Sequence, residues 1–117
     1  MLEEKGRELG RFIGQTPEYQ ALKRSSEALN EDKSAVALLQ KMEQLRGSAQ
    51  ALIQSGQNPT PEMEQELDDL LSEIQRQPAY QRAVSAQENF DKLMMRVNQW
   101  IMDGMKKGAT SSIISLS

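Results

Sequence analysis

The sequence predicts an all-α protein: a helical bundle of about five helices with a long central helix, self-associating. Three observations carry this reading. Apolar residues recur at steps of three and four over most of the chain. The breaks fall at Thr16-Pro17-Glu18, Thr60-Pro61-Glu62 and Gln77-Pro78, signals that start helices. Hydrophobic residues make up 38% of the chain but aromatics only 4%, so the core must come mainly from Leu, Met, Ile, Val and Ala.

The first helix is expected from Leu2 to about Gly14, with Leu2, Leu9, Phe12 and Ile13 on one face. Gly6 and Gly10 weaken it, so packing must hold it. Thr16, Pro17 and Glu18 then supply a cap, a preset first residue and an acid at the positive dipole end. The second helix runs from there to about Leu29, with Tyr19, Leu22, Ser26 and Leu29 inward.

Asp32 caps the third helix, expected over 33–55 and roughly 35 Å long at 1.5 Å per residue. Its seam is Ala35, Leu38, Met42, Leu45, Ala49 and Leu52, and Gly56 stops it. The fourth helix follows Thr60-Pro61-Glu62 to about Arg76, with Met63, Leu67, Leu70, Leu71 and Ile74 inward. Pro78 breaks the chain, and a fifth helix continues to about Met105, with Ala83, Ala86, Phe90, Leu93, Val97 and Trp100 at heptad-like spacing.

Pro17-Glu18-Tyr19-Gln20 and Pro78-Ala79-Tyr80-Gln81 echo one another at helix starts. So short a match carries no functional meaning. With 117 residues, one helical domain is expected over 1–107. Residues 108–117, GATSSIISLS, have no helical period and read as a flexible or partner-docked tail.

Composition argues against most chemistry. Without cysteine there is no thiolate nucleophile and no sulfur ligand for zinc or an iron–sulfur cluster; without histidine, the commonest general base and metal ligand is missing. No catalytic residue, cofactor or metal ligand is assigned. The formal charge of −3 gives no overall attraction for nucleic acid or an anionic membrane. Lys23-Arg24 and Lys106-Lys107 are the adjacent basic pairs, and neither is interleaved with aromatics that would stack on bases. No segment approaches the roughly 18 apolar residues of a membrane span or the pattern of a signal peptide, so a cytoplasmic location is expected.

Two surfaces invite a function. On the fourth helix Glu62, Glu66, Asp69 and Glu73 share one face at steps of four, three and four. Such a stripe suits a solvated helix near its N-terminal half and serves as a candidate acidic face for a partner. Divalent-cation or small-ligand binding is the alternative, although carboxylate bundles of the di-iron kind also draw on histidines. On the fifth helix, Met94, Ile101 and Met105 flank the stripe that ends in Trp100, while Met95 and Met102 lie nearly opposite it. The apolar arc then approaches about 200°, wider than one side of a small bundle requires. Methionine suits adaptable contacts. The expected self-association surface is therefore Met94, Met95, Trp100, Ile101, Met102 and Met105.

Glu8-Leu9-Gly10, Ile13, Thr16-Pro17-Glu18-Tyr19, Leu22-Lys23, Leu29, Asp32, Ala35, Leu38-Leu39, Met42 and Leu45 together resemble the N-terminal half of the YlbF/YmcA family of bacterial regulators, above all its short YheA-like members. The break at Gln57 to Pro61, the Gln77-Pro78 break, and Glu88, Phe90, Leu93, Val97 and Asn98 extend the resemblance over residues 5 to 105. It implies an all-helical fold that self-associates. It also implies a cytoplasmic, non-catalytic adaptor that acts with another regulatory protein in mRNA processing, competence, sporulation or biofilm formation. Iron–sulfur binding, tied to cysteines in some relatives, is not carried over to a chain that has none.

Overall fold

Five helices follow one another in the order α1 (Leu2–Gly14), α2 (Pro17–Glu31), α3 (Lys33–Gln54), α4 (Pro61–Arg76) and α5 (Pro78–Leu116). They are seen in a computed structural model that describes residues 1–116, with side chains to Thr110. No strand occurs among the described residues.

Each predicted cap is made. The Thr16 hydroxyl accepts from the Tyr19 amide at 3.2 Å and itself donates to the Ile13 carbonyl at 2.6 Å, so one side chain closes α1 and opens α2. Asp32 accepts from the Ala35 amide at 3.1 Å and Thr60 from the Met63 amide at 3.2 Å. Asp32 is the only residue between α2 and α3, and Gln77 the only one between α4 and α5; both are extended, so the chain turns sharply at a single residue each time.

α3 ends in a Schellman arrangement. The Gln57 amide donates to the Leu52 carbonyl at 2.8 Å and the Gly56 amide to that of Ile53 at 3.1 Å, with Gly56 at φ 83°. An L side chain at that φ costs about 1 kcal/mol or more. Gly56→Ala should therefore lower folding stability by about that amount in a urea titration. An unchanged midpoint would show that the turn relaxes freely.

The echo at Pro17 and Pro78 has a structural counterpart. Gln20 Nε2 donates to the Gly14 carbonyl and Gln81 Nε2 to the Gln75 carbonyl, each at 2.8 Å and each six residues back. Both glutamines tie a new helix to the end of the preceding one, which explains the repeat as junction chemistry.

α3 and α4 form one helical hairpin, and α2 packs antiparallel on the first half of α5. Tyr19 and Phe90 meet with ring centroids 5.7 Å apart, and Arg96 pairs with Glu18 at 3.6 Å. The hairpin leaves the α2·α5 pair at Glu31 and Pro78. α1 and the remainder of α5 leave it at the opposite end, beside Thr16 and Arg96.

The fully packed core is small: Ala35, Met42, Ala49, Ile74, Ala79, Ala86, Leu93 and Val97. The six seam residues expected on α3 are all buried or half-buried. On α2 the half-buried serine is Ser25, and Ser26 faces solvent, because the stripe is set by Leu22 and Leu29 with Ser25 between them. Leu71 on α4 is also exposed, one residue outside the stripe that ends in Ile74.

The molecule measures 69 × 36 × 20 Å with a radius of gyration of 21.7 Å, where about 13 Å is usual for a chain of this length. Two parts cause the difference. α1 has no buried residue, and its main neighbour is α2. α5 is 39 residues long and continues well past Met105, the end expected from sequence. A helix already nucleated adds one hydrogen bond per residue fixed, so it can run through segments too poor in helix formers to start one. Of the expected tail, Ser117 and the side chains of 111–116 lie outside the described residues.

Candidate functional site

The buried stripe of α5 passes through Ala79, Ala86, Leu93 and Val97. At 100° per residue it continues through Trp100, Ile101, Gly104, Met105 and Gly108. Past Val97 it has no cover, because α2 begins at Pro17, level with Arg96. Trp100 is accordingly 61% exposed, Ile101 42% and Met105 67%. The sequence put Trp100 both at the end of the heptad stripe and in the self-association surface; within the chain α2 is too short to reach it. Met94 is half-buried, and Met95 and Met102, on the opposite side of the helix, are 71% and 57% exposed.

α1 presents a second bare face. Leu2, Leu9 and Phe12 are all exposed, and Ile13 is half-buried at the Thr16 junction. The sequence reading required packing on this helix without saying what supplies it. Gly6 and Gly10 flank the apolar face, and no atom stands within 4 Å of where a Cβ would be at either. The same is true of Gly104 and Gly108 on α5. Each interior glycine costs its helix about 1 kcal/mol relative to alanine. Nothing inside the chain makes use of the room gained.

Glu62, Glu66, Asp69 and Glu73 are all exposed on α4. The last three line an open groove of about 490 Å³ between α3 and α4. Leu45 and Leu70 form its floor, with Lys41, Gln44 and Ser48 on the far side; Glu62 stands outside it. Asp69 accepts from Gln65 Nε2 at 3.0 Å. Among the described residues none of these four carboxylates makes an ion pair, and no three acidic side chains converge as a metal-ligand set. The arrangement sets three carboxylates on the α4 rim across an apolar floor from Lys41 on the α3 rim. It suits electrostatic recognition of a cationic surface more than acid–base chemistry, which needs a carboxyl held in a low-dielectric pocket.

No helix among the described residues is long and apolar enough to cross a membrane. The family model described as control of competence regulator ComK, YlbF/YmcA, matches residues 2–106. A UPF0342 protein of Streptococcus mutans is 36% identical over 81 residues, covering 69% of this chain and 72% of the relative. A UPF0342 protein of Limosilactobacillus reuteri is 28% identical over 94 residues, 80% of this chain and 76% of the relative. One from Streptococcus gordonii is 37% identical over 68 residues, 58% of this chain and 61% of its own length.

Proposed function

Because the chain belongs to the YlbF/YmcA family of competence-control regulators, we propose that it is a non-catalytic adaptor that self-associates through the C-terminal half of α5 and offers the acidic α3–α4 groove to a regulatory protein. The observation that carries this is the surface left bare. A compact chain of 13.2 kDa exposes about 6,400 Å², whereas this one exposes 9252 Å². The excess, roughly 2,800 Å², exceeds the ~800 Å² per partner of a standard interface and is of the size found in obligate assemblies. The stretch from Gly108 to Leu116 follows α5 onto the partner subunit.

Sedimentation velocity tests the reading. The protein should sediment as a dimer or larger species at micromolar concentration. Met95→Glu with Met102→Glu should lower the mass if the outward face joins the interface. A wild-type monomer would defeat the proposal as a whole.

The groove makes a separate prediction. Reversing Glu66, Asp69 and Glu73 to lysine should abolish retention of a cationic, amphipathic peptide probe while leaving the oligomeric mass unchanged. Retention that persists in high salt, or that survives the reversal, removes the groove from recognition.

A further inference from the structure

Two helical segments of this chain lack a partner, and they match one another. α1 is 13 residues long, about 20 Å, and the bare part of α5 from Asn98 to Thr110 is about the same length. Each carries an apolar stripe: Leu2, Leu9 and Ile13 on α1, and Trp100, Ile101 and Met105 on α5. Each carries two glycines four residues apart beside that stripe, with open space where a side chain would stand. Both leave the α2·α5 pair at its Thr16 end.

We propose that α1 of one copy seats on residues 98–110 of α5 in a second copy, reciprocally, so that two α1 helices and two α5 arms close an intermolecular four-helix bundle. The proposal rests on the self-association inferred above and names the surfaces that make it. In an isologous two-fold contact residue i meets residue j and j meets i, and the apolar stripes of α1 and α5, which leave the α2·α5 pair at one end, can meet in that way. The excess surface covers what such an interface buries. The glycines allow the helix axes to approach more closely than side chains would permit.

The absence of native cysteine makes the test direct. Full-length Leu9→Cys and Ile101→Cys variants are mixed, allowed to exchange subunits and oxidised. A 9–101 disulfide between copies should form in preference to the 9–9 and 101–101 products. If the protein is oligomeric but the 9–101 bond does not exceed the other two, this pairing is wrong while self-association stands; if wild type is monomeric, both are wrong. Gly6→Leu with Gly104→Leu supplies a second readout. Helicity should be retained, because no neighbour within the chain fills those positions, while the dissociation constant should rise at least tenfold. Unchanged or tighter association would overturn the close pairing.

Discussion

Replacing Ile74 with alanine should remove about 3 kcal/mol or more of folding stability, measured by urea unfolding at fixed protein concentration. Ile74 is 2% exposed in the last turn of α4 and is the one large side chain among the described residues that is wholly enclosed. It sits three residues before Gln77, the single residue about which the chain turns into α5. Among the described residues four of the eight buried ones are alanines, each of which contributes little burial of its own. Truncation at Ile74 therefore opens a cavity in the last turn of α4, close to the joint with α5. A typical domain is stable by only ~5–15 kcal/mol, so the loss is about a fifth or more of the total. Ile74→Val should cost about 1 kcal/mol. A loss below that for the alanine variant would mean that the joint is not where this fold is held.

Local chemistry made most of the fold legible. Thr16, Asp32 and Thr60 each cap a helix because a side-chain oxygen before a helical run has an unpaired amide within reach, which is a property of a few adjacent residues. The seam of α3 reads correctly for the same reason, since steps of three and four fix one face whatever packs on it. What covers Trp100 and α1 was not legible, for the complementary reason. Periodicity states that a face is apolar but not which chain covers it, and the reach of α2 along α5 is set by where Pro17 falls, not by anything in the α5 sequence. The end of α5 was misplaced because Gly104, Gly108 and the serines lower propensity without terminating a helix that is already formed. The acidic face on α4 was legible as a stripe. The Leu45 and Leu70 floor beneath it was not, because it joins residues of two helices.

The second large effect concerns assembly. Trp100→Glu with Ile101→Glu should raise the dissociation constant of the self-associated protein by about a thousandfold or more. A covered indole buries ~150–250 Å², and Trp100 is 61% exposed, so roughly 100–150 Å² of it awaits a partner, equivalent to about 3 kcal/mol at 25 cal/mol per Å². Even a hot-spot loss of about 2 kcal/mol, counted twice across a two-fold interface, gives that factor. Neither substitution removes buried packing from the chain itself, because both residues are already exposed there, so helicity should survive. The linkage to folding gives a second measurement. If assembly and folding are coupled, wild type should lose about 1.4 kcal/mol of apparent stability for each tenfold dilution, and the double variant should lose none. A wild-type melting temperature independent of concentration, together with an unchanged mass in the variant, would mean that the exposed stripe serves some other partner and that the copies do not hold one another together.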